Sequence, residues 1–248
     1  MLLFDQAFRA TRGRKALRLR EDFCGTFRLS AEWVKQSKEH RALGLDIDPE
    51  PLHYGRRNHY RELRPSQRSR LSVRKQNVLM PTRQTSDVIA ACNFSLYTFK
   101  SRELLLKYFK SCLKSLASDG VLILEMAGGP GMIAKMRERK TVRAPQLRIP
   151  GKKFTYVWEQ KDFDPITHDA LYYIHFKLND GRELKQAFEY DWRLWTIPEV
   201  RDILVEAGFS SSRVYWESEH KGVGTGEYVE AKRGDNAYSW IAYVVGVK

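Results

Sequence analysis

Cysteine is scarce in this 248-residue chain: Cys24, Cys92 and Cys112 are the only three. An odd number without paired spacing excludes a disulfide framework and a thiolate metal cluster, and fits reduced thiols in a cytoplasmic protein. Long apolar runs are missing as well. None approaches the ~20 residues that span a bilayer, and Met1-Leu-Leu-Phe4 meets Asp5 too soon to form the core of a secretion signal. The six histidines are scattered, with His53 and His59 too far apart for i, i+4 ligation, so no metal is assigned. Acid is in deficit, 30 Asp and Glu against 43 Lys and Arg, giving a net charge of +13. The excess sits in blocks. Arg56 to Lys75 holds eight cations and one acid, Glu62, Arg9 to Arg20 holds six and none, and Lys135 to Lys153 is similarly rich. Such blocks are either solvated faces or a phosphate footprint.

What the chain does have is 42% hydrophobic and 12% aromatic residues, enough for a packed core. Its most informative stretch is Leu17-Arg-Leu-Arg-Glu-Asp-Phe-Cys-Gly-Thr26, followed by Ala42-Leu-Gly-Leu-Asp-Ile-Asp-Pro49. It reads as a strand, a tight glycine turn, a helix over Arg28–Gln36 and a second strand ending in a carboxylate. Asp46 lies 21 positions after Gly25, close to the spacing at which a nucleotide-binding βαβ unit offers an acid to a ribose. Asp48 and Pro49 start a helix to about Leu63. Strands over Leu71–Gln76 and Asp87–Cys92 and an amphipathic helix capped by Ser101 follow, which predicts an open, mostly parallel sheet. After Met126 the rhythm becomes alternating (Phe154, Tyr156, Trp158; Tyr172, Ile174, Phe176, Leu178; Glu183–Tyr190), a β-meander turned by Asn179-Asp-Gly181. A helix from Thr196 to Ala207-Gly208 and strands at Val214–Trp216 and Trp240–Val245 close the chain. Gly222-Val-Gly-Thr-Gly226 lacks the strand-to-helix setting of a phosphate loop and is expected as a flexible connection between those last two strands.

In order, these motifs resemble those of the class I S-adenosylmethionine-dependent methyltransferases, over roughly residues 15–126 and 194–246. Glu21-Asp-Phe-Cys-Gly-Thr-Phe27 resembles their first motif, with Phe23 and Phe27 where glycines usually flank Gly25. Gly44-Leu-Asp-Ile-Asp48 resembles the second, Gln76-Asn-Val78 the adenine-side segment, and Ser86-Asp-Val-Ile-Ala-Ala-Cys-Asn-Phe94 the fourth. Leu116-Ala-Ser-Asp-Gly-Val-Leu-Ile-Leu-Glu125 is similar to the turn into the fifth strand. Leu19-Arg-Glu-Asp-Phe-Cys-Gly-Thr26 with Tyr190-Asp-Trp-Arg-Leu-Trp195 is similar to an uncharacterised bacterial branch. The resemblance implies an α/β fold with a Rossmann-like seven-stranded sheet and a small antiparallel β-meander insertion. It implies S-adenosyl-L-methionine as cofactor, with Asp46 on the ribose, Ile47 against the adenine, Asn77 and Val78 at its edge, Asn93 beside the sulfonium, and Glu21, Phe23, Cys24 and Gly25 around the methionine moiety. Residues 1–130 and 194–248 are expected to form the cofactor domain, and 150–193 a cover over the acceptor site. About sixteen residues precede the first strand, where such enzymes often fold a longer segment over the cofactor; a short version of that segment and an internal start of the sequence are both open.

Each residue also has a plainer role open to it. Asp46 would cap the next helix, Glu21 would bind local backbone donors, and Cys24 would be a small turn residue. For the acceptor the candidates are Tyr97, Trp158, Tyr190, Arg193 and Trp195. Ring faces suit a methylated amine or a flat ring, and Arg193 suits a carboxylate, or else the start of the helix at Thr196. No catalytic residue is assigned, because in-line methyl transfer chiefly needs two reactants oriented and water excluded. A small-molecule acceptor is expected. A nucleic-acid methyltransferase is the first alternative, supported by the basic blocks and opposed by Asn93-Phe-Ser-Leu, which lacks the Pro-Pro-aromatic sequence of base-amine methyltransferases. A non-catalytic fold relative and an NAD-dependent dehydrogenase are further alternatives.

Overall fold

The computed structural model describes residues 2–220 and 223–248. In chain order the secondary structure is α1 (Leu2–Arg12), β1 (Arg18–Asp22), α2 (Arg28–Gln36), β2 (Arg41–Asp46), α3 (Pro49–Arg57), α4 (Pro65–Arg68), β3 (Leu71–Lys75), β4 (Ser86–Ala91), α5 (Arg102–Ser115), β5 (Leu116–Gly128), β6 (Met136–Arg143), β7 (Lys153–Phe163), β8 (Asp169–Leu178), β9 (Glu183–Arg193), α6 (Ile197–Ala207), β10 (Ser211–His220), β11 (Val223–Glu230) and β12 (Trp240–Val247). Eight strands form one sheet in the order β11-β10-β12-β5-β4-β1-β2-β3. Its five members from β3 to β5 run parallel, and β12 joins β5 antiparallel, Val244 opposite Leu124. The remaining four strands make an antiparallel sheet, β6-β7-β8-β9.

Local signals set the helix ends. Asp48 accepts the Glu50 N–H at 2.9 Å beside Pro49, and Ser101 Oγ accepts the Leu104 N–H. Thr196 and Glu199 form a reciprocal capping box, and Gly208 ends α6 at φ 103°. One core layer joins α1, α2 and α3 to the sheet through Phe8, Trp33 and Leu52. On the other face α5, α6 and the four-stranded sheet share a core containing Tyr108, Leu204, Tyr172 and Trp192. The inserted sheet is thus seated on the same hydrophobic layer as the last two helices.

Pro65-Ser-Gln, read from sequence as a loop, opens the short helix α4, α1 is a helix the sequence reading lacks, and three further elements differ from expectation. α3 stops at Arg57 rather than near Leu63, because the Asn58 side chain bonds the Tyr54 carbonyl at 2.8 Å and offers the backbone an exit. The meander gains a first strand, β6, whose Arg-Glu-Arg-Lys sequence is exposed on both faces and so carries no alternating apolar signal. The two closing strands are three. β11 pairs with β10 to extend the expected seven-stranded sheet to eight, and takes up Gly224 and Gly226 of the expected loop; Gly222 lies outside the described residues.

Candidate functional site

The carboxyl ends of β1, β4 and β5 converge on a cleft of about 760 Å³, within the range of small-molecule sites. Its floor is the turn between β1 and α2. There Phe23, Gly25 and Phe27 all adopt left-handed backbone, at φ 53°, 51° and 47°. The phenylalanines that replace glycines therefore keep the turn's path. Phe27 is fully buried, with its ring packed so closely under α3 that a Cβ on Gly55 would meet it at 2.5 Å. That contact holds a conformation which costs an L-residue about 1–2 kcal/mol.

Asp46 closes the turn from the end of β2. Its Oδ2 accepts the Gly25 N–H at 2.7 Å, and its Oδ1 accepts the Asp48 N–H at 2.9 Å. Each oxygen keeps a further lone pair. Ile47, beside it, is 63% exposed. Asn77 Oδ1 accepts the Leu79 N–H, which shapes the adenine-side turn, and Val78 is buried. That turn is anchored from below. The fully buried Arg20 bonds Asp22 at 2.6 and 3.0 Å and reaches the Val78 carbonyl at 3.3 Å, while Tyr108 donates to Asp22 at 2.9 Å.

Glu21, Phe23, Cys24, Gly25 and Asn93 all line the cleft. Glu21 accepts from both the Ser30 N–H and hydroxyl, so it also serves the first turn of α2; burial pushes its pKa up to about 7. Cys24 is buried, and desolvation with the Glu21 and Asp46 carboxylates nearby drives its thiol well above the usual range, which removes it as a nucleophile. Asn93 has φ 54°, and its N–H donates to Glu125 Oε2 at 2.5 Å; Tyr243 donates to the other oxygen at 2.8 Å. Glu125 and Tyr243 are site residues that the sequence motifs did not single out. The signal for Glu125 was present, an acid ending the apolar run Val121-Leu-Ile-Leu-Glu125. Nothing in the sequence places Tyr243 there, because its position depends on the antiparallel return of β12 opposite Glu125. Among the described residues no group of His, Cys, Asp and Glu could hold a metal ion, and no helix is long and apolar enough to cross a membrane.

The acceptor candidates separate. Trp158 is half-buried and lines a second cavity of about 340 Å³ with Phe94, Trp192 and Trp240. Trp195 lines a third, of about 580 Å³, and its indole N–H donates to the Phe99 carbonyl at 2.8 Å. Tyr190 packs at a tilt against both Trp158 and Trp192, with ring centroids 6.0 and 4.7 Å away. Tyr97 is fully buried and clamps Ala127, accepting its N–H at 3.0 Å and donating to its carbonyl at 2.5 Å, so it faces none of the three spaces. Arg193 also lines none of them. Its guanidinium lies 3.7 Å from the centre of the Trp195 ring, donates to the Lys100 carbonyl at 3.3 Å and approaches Glu199 at 3.6 Å. Two of the three basic blocks reach another cleft, through Arg18 and Arg70, while the third, Lys135 to Lys153, runs along exposed β6. Arg18, Arg41, Arg70 and Arg83 line a cleft where β1 and β2 begin and β4 is entered, at the opposite end of the parallel strands.

No protein-family model matches the sequence, and no curated protein matches it significantly. Solved structures do match. DesVI of Streptomyces venezuelae aligns with TM-score 0.70 at 16% identity, over 98% of this chain and 88% of that one. CalS10, an amino pentose methyltransferase from Micromonospora echinaspora solved with S-adenosylmethionine bound, gives 0.68 at 16%, over 98% and 88%. The sugar N-methyltransferase KedS8 from a Streptoalloteichus species gives 0.66 at 17%, over 100% and 85%. The similarity spans both sheets. The parallel strand order, the antiparallel β12 and the glycine turn joined to Asp46 are those of one architecture: this chain has the fold of the class I S-adenosylmethionine-dependent methyltransferases.

Proposed function

We propose that the protein is an S-adenosylmethionine-dependent methyltransferase acting on a small-molecule acceptor. The observation that carries this is the direct bond from the Gly25 N–H to Asp46, which ties a left-handed glycine turn that lines the cleft to a carboxylate at the end of β2. The residues present fit the cofactor. A Cβ at Gly25 would meet nothing within 4 Å, so the turn presents open backbone to the cleft. Asp46 retains acceptor capacity for ribose hydroxyls, and Glu21 and Glu125 supply carboxylates suited to a ligand that carries positive charge. When bound, S-adenosylmethionine supplies an electrophilic methyl group on a sulfonium. The protein's part is to hold, orient and dry the reactants. Asp46, Ile47, Asn77 and Val78 would take the adenosine side; Glu21, Phe23, Cys24, Gly25 and Asn93 would take the methionine side.

Residues 1–130 and 194–248 form the cofactor-binding part in this reading. The inserted sheet covers the acceptor, and its β6 strand moves the insertion's start forward to Met136. Free thiols at Cys24, Cys92 and Cys112 suit a reducing cytoplasm. The arginine-lined cleft lies at the far end of the strands from Asn93, which gives it no part in the acceptor site. Calorimetric titration with S-adenosylmethionine and S-adenosylhomocysteine tests the proposal. Saturable one-to-one binding of both is expected, and binding of neither would refute it.

A further inference from the structure

Asn93 lines the cofactor cleft and its chain neighbour Phe94 lines the second cavity, whose walls are unusual for a surface hollow. Three indoles and a benzyl ring, from Trp158, Trp192, Trp240 and Phe94, surround it, and its only charged side chain among the described residues is Glu217. Phe94 follows Asn93 directly and shares its left-handed backbone, at φ 57°. The Phe94 and Trp192 rings meet at 75°, with centroids 6.2 Å apart, so their planes form a corner. Glu217 lines this cavity, and its Oε1 accepts the Gly226 N–H at 2.9 Å, which ties it to a residue lining the cofactor cleft. No Lys or Arg is among the residues lining this space. The third cavity shares Ala127, Met132 and Trp240 with it and carries no Asp, Glu, Lys or Arg; Trp195 and Trp216 contribute to its apolar wall.

Ring faces are negative, and a carboxylate adds to that potential, so such a space rejects anions and holds an alkylated ammonium by cation–π attraction. We propose that the acceptor is an amine whose ammonium head sits among Phe94, Trp158, Trp192, Trp240 and Glu217, with an apolar, ring-sized body lodged in the adjoining cavity. The proposal rests on the methyltransferase reading and names its substrate class. For transfer the ammonium gives one proton to solvent. The freed nitrogen lone pair then forms the N–C bond, while the pair of the broken C–S bond stays on sulfur. The uncharged product-side thioether and the alkylated nitrogen conserve the overall charge once that proton is counted.

The test uses the whole protein, saturated with S-adenosylhomocysteine, and follows tryptophan fluorescence or heat. The probes are benzyltrimethylammonium, choline, and choline's neutral isostere 3,3-dimethyl-1-butanol. Benzyltrimethylammonium should bind most tightly and the neutral isostere at least tenfold more weakly than choline. Trp158→Leu and Glu217→Gln should each weaken benzyltrimethylammonium at least tenfold while S-adenosylhomocysteine affinity holds. Glu217→Gln keeps the shape of the side chain and remains informative if Trp158→Leu does not fold. Equal affinity for charged and neutral probes, or loss of neither affinity in the folded variants, overturns the amine assignment. Failure to bind S-adenosylhomocysteine at all would instead remove the methyltransferase reading.

Discussion

Replacing Asp46 by alanine perturbs one carboxylate with two separable duties. Its oxygens accept the Gly25 and Asp48 N–H groups at 2.7 and 2.9 Å. A hydrogen bond to a charged group contributes about 1.5–3 kcal/mol, but the site is half-exposed and water recovers much of that. The expected loss of folding stability is therefore about 1–2 kcal/mol, roughly 2–8 °C in melting temperature for a chain of this size. The ligand loss adds to it, because ribose hydroxyls lose their acceptor and the Gly25 turn loses its tether. S-adenosylmethionine affinity should fall at least tenfold, about 1.4 kcal/mol. Asp46→Asn retains one acceptor oxygen and should recover about half the stability but little of the affinity. Calorimetry with matched thermal melts separates the two effects. Wild-type affinity in folded Asp46→Ala and Asp46→Asn proteins would refute the assignment, even if both melted early.

Glu21 carries a pH prediction. Its carboxyl titrates near 7 in the fold because it is buried, against 4.5 ordinarily, so the native state holds that proton more tightly than the unfolded chain. Its contribution is present below about pH 4.5 and is lost as pH rises to about 7, by at most about 3 kcal/mol. Urea midpoints of Glu21→Gln should lack this decline, and a wild-type-to-variant difference constant over that span would contradict it. Arg193→Met should cost about 1–2 kcal/mol through the lost stack on Trp195 and leave S-adenosylmethionine affinity unchanged. A variant as stable as wild type but deficient in acceptor turnover would return Arg193 to the acceptor site.

What the sequence made legible follows from how locally each feature is encoded. The turn after β1 and the Asp48, Ser101 and Thr196 caps depend on neighbours within a few residues, the Asp46 spacing and the meander on patterns within one or two adjacent elements, and the structure shows each. The positive φ of Phe23 and Phe27 was hidden because neither residue favours that backbone; the packing of Phe27 against Gly55 imposes it. β6 was hidden because an edge strand exposed on both faces has no period-2 pattern. Arg193 could not be placed from sequence, since its ring partner Trp195 is local but the Lys100 carbonyl is 93 residues away. The pairing of Glu125 with both Asn93 and Tyr243 is likewise a product of strand order rather than of any motif.

The charge excess acquires a different meaning from where it lies. Two of the strands that end a sheet are β3 and β6, each paired with a strand of the sheet on one side only. Arg74 and Lys75 stand exposed on the first; Arg137, Arg139, Lys140 and Arg143 stand exposed on the second. An open strand edge is a template for pairing with an identical edge on another copy. Two such edges approaching each other here bring like charges into register within a few ångströms, well inside the Debye length of about 8 Å at physiological salt. Cations on both edges would oppose such pairing by repulsion, at a distance from the acid-lined cleft.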